Sequence, residues 1–168
     1  AGITASVNTI VSNGDPSLVA GAKSFTLTTS LDSGSDFTGT AGNDTFNADN
    51  TGSSEVTSVA DTIDGGDGAA DVFNLYSDGT IGALPTLKNI ETINVYDEDT
   101  DYNFGSISTN VTTANFIRGD GMVNFTIRDT ITTVGLDDIK LSSTGLKITA
   151  DATKAKTLTL NLDSLSAA

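Results

Sequence analysis

Apolar and polar residues alternate in short runs along most of the chain. The first run is Ser24-Phe25-Thr26-Leu27-Thr28-Thr29, and others follow at 72–76, 91–96 and 115–117. Alternation with period two predicts strands with one buried face. In the second half the runs are themselves periodic. Phe104, Phe125 and Ile148 lie 21 and 23 residues apart, and Ile93, Phe116, Ile139 and Leu158 are spaced by 23, 23 and 19. Each period holds two strands, one set at 93–95, 115–117, 139–141 and 158–160, the other at 102–104, 123–127 and 146–148. A period near 20 with two strands per turn predicts a β-solenoid, in which no rung buries its apolar face alone. An antiparallel sandwich, with strands every 8–12 residues, is the competing architecture. No stretch has a helical period; the nearest candidate is the short segment 15–22. Residues 1–22 read as an arm or linker, and 23–168 as one domain with a Gly/Asp-rich part (23–75) and a part of stacked rungs (76–168). A polar insert is expected at 47–58.

Composition supports the all-β reading. The 168 residues include 19 Asp but only 3 Glu, 27 Thr and 17 Gly. Asp and Gly favour turns and Thr favours strands. The 37% apolar content, being patterned, argues against disorder. A net charge of −14 argues against binding nucleic acid or an anionic membrane. No apolar run approaches 18 residues, so membrane insertion is not expected. Cys, His and Trp are all absent, which excludes disulfides, thiolate or imidazole metal sites and His-based catalysis. The seven Phe residues fall within strand patterns or at turn ends and read as core.

Two stretches carry candidate chemistry. They are Gly39-Thr40-Ala41-Gly42-Asn43-Asp44-Thr45-Phe46 and Asp61-Thr62-Ile63-Asp64-Gly65-Gly66-Asp67-Gly68-Ala69-Ala70-Asp71-Val72-Phe73. Both approximate G-G-x-G-x-D-x-U-x, the repeat of calcium-binding parallel β-rolls. The first has Thr40 at the second glycine; the second has one extra residue between Gly68 and Asp71. Glycines let the backbone turn tightly and aim carbonyls inward, and the closing Asp adds a carboxylate. Stacked turns would then form an oxygen cage suited to Ca²⁺. The expected ligands are carbonyls of Gly39, Ala41 and Asn43 with the Asp44 carboxylate, then Gly65 and Asp67 with the carboxylates of Asp61 and Asp71. Plain Asx-Gly turns without metal are the alternative. Asp97, Asp99 and Asp101 lie in a further acidic turn, Tyr96 to Tyr102, which is either another calcium site or a solvated turn.

With these motifs the chain resembles the RTX-type bacterial S-layer and surface proteins exported by type I secretion. The resemblance covers about residues 24–96 and continues in style beyond. Ser35 stands where the preceding turn usually has Asp, Asp61 and Asp71 are 10 apart rather than nine, and Asp44 and Asp61 are 17 apart. These departures predict irregular calcium sites rather than a regular array. The resemblance implies an extracellular, calcium-dependent structural protein of the bacterial cell surface that self-associates into a lattice or filament. The many Thr hydroxyls make surface polysaccharide a further candidate partner. The alternative is a monomeric calcium-binding accessory domain of a secreted adhesin or hydrolase. Enzymatic function is not expected, because no acid–base set accompanies Arg118 and Arg128, the only arginines. Arg118-Gly119-Asp120 and three N-x-T triplets are short motifs that composition alone can produce.

Overall fold

The computed structural model describes residues 21–78, 83–96, 101–104, 110–122, 124–142, 146–150 and 157–167. It is a parallel β-solenoid. Its main sheet stacks seven strands in chain order: β1 (Ser24–Thr26), β2 (Thr45–Asp49), β4 (Val72–Tyr76), β6 (Thr92–Tyr96), β8 (Thr113–Ile117), β11 (Thr133–Asp137) and β14 (Thr159–Asp163). Smaller parallel sheets close the other sides of the coil. They are β3 (Thr62–Asp64) with β5 (Thr86–Lys88); β7 (Asp101–Asn103), β10 (Asn124–Ile127) and β13 (Lys147–Ala150); and β9 (Asp120–Met122), β12 (Lys140–Leu141) and β15 (Ser166–Ala167). Among the described residues the one helical element is a single 3-10 turn, Gly34–Phe37, and no helix is long and apolar enough to cross a membrane.

Parallel pairing in register sorts the side chains into columns. The second position of each main-sheet strand points inward and holds Phe25, Phe46, Phe73, Ile93, Ala114, Val134 and Leu160. The fourth holds Ala48, Leu75, Val95, Phe116, Leu136 and Leu162. Most of these are fully buried, each contributing roughly 1.5–3 kcal/mol for a large side chain. The third position faces outward and forms an asparagine ladder. Asn115 Nδ2 donates to Asn94 Oδ1 at 2.8 Å, Asn94 to Asn74 at 2.9 Å and Asn74 to Asn47 at 2.9 Å. Asn47 ends the series on the Phe25 carbonyl. Gly135 interrupts this column, because the Asn115 carboxamide lies across it.

The sequence periods fall close to the observed columns without matching them. Ile93 stacks on Ala114, Val134 and Leu160, not on Phe116, Ile139 and Leu158. Ala114 carries little apolar signal, while the buried Ile139 fills the corner after Asp138. In the second set Phe125 pairs with Tyr102 and Ile148, so Phe104, the expected partner, sits two residues beyond the observed one. The first strand ends at Thr26 rather than Thr29 because buried Asp32 captures both the amide (2.7 Å) and the hydroxyl (2.8 Å) of Thr28. The polar insert begins at Asn50, since 47–49 belong to β2. Asn50 holds it: Oδ1 accepts from the Val56 amide at 2.7 Å and Nδ2 donates to Thr57 Oγ1 at 2.7 Å. Of the expected arm, residues 1–20 lie outside the described residues, as does most of the segment 15–22.

Gly135→Ala is expected to destabilise the fold by about 1–3 kcal/mol, because its methyl group would overlap Asn115 Oδ1. Urea unfolding of Gly135→Ala, Asn115→Ala and the double variant checks this: in the Asn115→Ala background the Gly135→Ala cost should largely vanish.

Candidate metal centre

The turn at 39–44 leads into β2 and the turn at 65–71 leads into β4. Although 27 residues separate Thr45 from Val72, the two strands are neighbours and the two turns stack directly. The Asp67 amide donates to the Thr40 carbonyl at 2.9 Å, the Gly39 amide to Asp64 at 2.7 Å, and the Val72 amide to Asp44 at 2.9 Å. The wide spacing arises because the insert after β2 lengthens that rung. The extra residue before Asp71 is absorbed on the surface, where Ala69 and Ala70 are exposed.

A carboxylate column precedes the main-sheet strands. Asp44 Oδ1 accepts the Lys23 amide at 2.5 Å, Asp71 Oδ1 the Asp44 amide at 2.6 Å, and Glu91 Oε2 the Asp71 amide at 2.8 Å. Each acid therefore caps the backbone one rung nearer the N-terminus. Asp44 is further satisfied by the Thr40 amide, which reaches its Oδ2 at 2.5 Å. Asp71 is different. It is fully buried, and its Oδ2 has no hydrogen-bond partner. Burial pushes its pKa above the usual carboxylate value; the amide bond from Asp44 works against this, and the charges of Glu91, Asp44 and Asp64 add to it.

Glycines make the space around this carboxylate. A Cβ on Gly68 would stand 2.7 Å from Asp71 Oδ2 and 2.5 Å from the Gly42 carbonyl oxygen. One on Gly65 would lie 2.6 Å from Asp71 Oδ2 and would overlap the Asn89 carbonyl. Gly66 adopts φ +89°, a backbone conformation that favours glycine. The unpartnered carboxylate oxygen and the Gly42 carbonyl oxygen thus converge beside Gly68. This donor set fits a hard cation: all oxygen, anionic and partly backbone.

The structure brings together only some of the expected ligands. Gly39, Asp44, Gly65 and Asp71 lie in the stacked turns, with Gly39 against Asp44 and Gly65 against Asp71. Ala41, Asn43 and Asp67 are exposed on the rims of these turns. Asp61 belongs to a separate stack, where its Oδ1 accepts the Asp32 amide at 3.1 Å and its Oδ2 the Ser58 amide at 2.8 Å. Both Asp61 oxygens are therefore occupied, one by the rung of Asp32 and one by its own loop. Asp97 and Asp99 fall outside the described residues, while the backbone of Asp101, in β7, pairs with Asn124 of β10. Glu91, Gly42 and Gly68 were not among the expected ligands. Glu91 lies 20 residues after Asp71 and directly precedes a strand, as Asp71 does. Among the described residues no three Asp, Glu, His or Cys side chains form a cage, so backbone carbonyls would have to complete any metal shell.

Comparison with family models, with curated proteins and with solved structures finds no match.

Gly68→Ala is expected to be the more damaging of two matched glycine changes. Its methyl group would press on both Asp71 oxygens and on the Gly42 carbonyl, whereas Gly52→Ala meets nothing within 4 Å. Thermal unfolding of the two variants should show a loss for Gly68→Ala only.

Proposed function

We propose that this chain is a calcium-stapled structural module of a bacterial surface layer or extracellular filament, and that it self-associates. The observation that supports calcium most directly is Asp71, a buried carboxylate with one oxygen unpartnered in an acidic column. Neighbouring rungs stand about 4.8 Å apart, where two unit charges repel by on the order of 3 kcal/mol at an effective dielectric constant of 20. A bound cation removes that repulsion. Asp71 and the Gly42 carbonyl would hold it, with Asp44 and Glu91 supplying further negative charge. Calcium suits such a mixed oxygen set better than magnesium, which demands near-octahedral geometry and retains its waters.

Calcium would supply charge neutralisation and a link between the turns of two successive rungs. The chain's own residues do the rest: glycines hold the turns open, Glu91 holds the amide of Asp71 itself, and Asp44 holds the amides of Lys23 and Thr40. In this reading 22 acidic against 8 basic residues oppose compaction when calcium is scarce. Binding energy then becomes folding energy in a calcium-rich exterior, where comparable modules bind at 10⁻⁴–10⁻³ M. A structural role accords with the long columns of repeated Thr and Asn; no catalytic role is proposed.

The test is circular dichroism and thermal unfolding in EGTA and in millimolar CaCl₂, with light scattering on each sample. Calcium at 100 times its dissociation constant should stabilise the fold by about 2.7 kcal/mol, a rise of roughly 5–10 °C in Tm. It should also increase the mass of the particle. Asp71→Asn should abolish the calcium-dependent rise. It should also stabilise the calcium-free protein, since the amide keeps an acceptor for the Asp44 backbone and removes the charge. A fold already complete in EGTA and unaltered by calcium overturns the reading.

A further inference from the structure

The fifth position of the main-sheet strands faces outward and holds Asp49, Tyr76, Tyr96, Ile117, Asp137 and Asp163. The two tyrosines are register partners on β4 and β6, 20 residues apart in sequence. Their rings stack with centroids 4.6 Å apart and planes 11° from parallel. Arg118 follows β8, on the side of β6 away from β4, and its guanidinium carbon lies 5.7 Å from the Tyr96 ring centroid. The Arg118 corner has φ +62°, and its amide donates to the Asp137 carbonyl at 3.0 Å. Tyr96 is thus bracketed, with a cation on one side and the Tyr76 ring on the other. Both tyrosines are half-buried, so solvent reaches them.

Composition makes this contact chemically conspicuous. The chain has no Cys, Trp or His and one Met. Methionine oxidises by gaining an oxygen atom rather than by yielding a single electron. The three tyrosines are therefore the side chains that give up one electron most readily, and two of them touch. The third, Tyr102, lies on β7 in a different sheet.

We propose that Tyr76 and Tyr96 form an oxidative cross-linking site, closed by hydrogen peroxide and a one-electron oxidant of the haem-peroxidase class. The oxidant takes one electron from each ring, and each phenol releases its proton to water. Burial and the neighbouring Tyr76 raise the Tyr96 pKa, with Arg118 opposing, so at neutral pH this phenol keeps its proton until its electron leaves. The two phenoxyl radicals join through a carbon–carbon bond between ring positions next to the oxygens. The hydrogens on those two carbons then move to the oxygens and restore two phenols. The protein loses two electrons and two protons in all, and one peroxide becomes two waters. Stacking holds the partners together beforehand, so coupling within the chain outruns coupling between chains.

The bond fastens β4 to β6, the strands that directly follow Asp71 and Glu91. Charge is concentrated there. Of the 22 acidic and 8 basic residues, 16 and 2 lie in 1–103, and 6 and 6 lie in 104–168. The first segment therefore carries −14, the whole net charge, and the second is neutral. A covalent tie between two rungs of the acidic segment opposes its self-repulsion and restricts the unfolded chain. This site goes beyond the calcium reading and does not depend on it.

Treating the chain with hydrogen peroxide and a haem peroxidase in millimolar CaCl₂ tests the proposal, with circular dichroism to verify the fold. The expected product is a monomer with dityrosine fluorescence, lighter by two hydrogen atoms and with a raised Tm. Trypsin cuts after Lys88, between the two tyrosines, so the cross-link joins fragment 24–88 to fragment 89–118. Tyr76→Phe and Tyr96→Phe, which keep a ring in the stack, should each abolish this product. Tyr102→Phe should leave it in full yield. Dityrosine found only in covalent dimers overturns the proposal. So does a monomeric cross-link that survives Tyr76→Phe, or a folded protein that forms none. The calcium dependence of the spectrum before oxidation reports separately on the metal reading, so the two can fail independently.

Discussion

Backbone pairing between successive rungs is the constraint on which everything else in this protein depends. Each main-sheet strand bonds in parallel and in register to the next, so whatever occupies one position is placed about 4.8 Å from the residue at the same position one rung away. Stacking like on like is favourable for Phe25 on Phe46, whose rings lie 4.5 Å apart, and for Tyr76 on Tyr96, at 4.6 Å. It is favourable for asparagine, whose carboxamide is both donor and acceptor. For carboxylates it is a problem that must be solved locally, and the backbone amides delivered to Asp44, Asp71 and Glu91 solve it in part.

The same constraint separates structural acids from the one that invites an ion. Asp32 and Asp61 sit in a stack where each carboxylate oxygen has a hydrogen-bond donor. Asp71 has the same burial and the same kind of amide partner, but its second oxygen faces glycine backbone and other acids. Local sequence does not distinguish these cases, because Asp61-Thr62-Ile63 and Asp71-Val72-Phe73 both read as Asp followed by a strand. The difference comes from what the neighbouring rungs supply.

The architecture was legible in the sequence because parallel stacking writes a repeat into the chain, and alternation within each repeat marks the strands. Exact columns were less legible, for a physical reason. Large apolar residues dominate a pattern read by eye, but the interior also accepts Ala48 and Ala114, while corners bury Ile90, Ile131 and Ile139. The glycine turns announced their location through Gly and Asp spacing. Their pairing did not show, because the insert anchored by Asn50 separates in sequence two turns that are adjacent in space.

The asparagine ladder also makes the solenoid vectorial. Every carboxamide in it donates toward the N-terminal rung, from Asn115 through Asn94 and Asn74 to Asn47 and the Phe25 carbonyl. Aligned hydrogen bonds polarise one another, so the column behaves as a single extended dipole with its positive pole toward the acidic segment. Gly135 stops that alignment after Asn115. The polar spine thus spans the rungs that carry the charge and ends where the neutral segment takes over, giving the coil an electrical front and back.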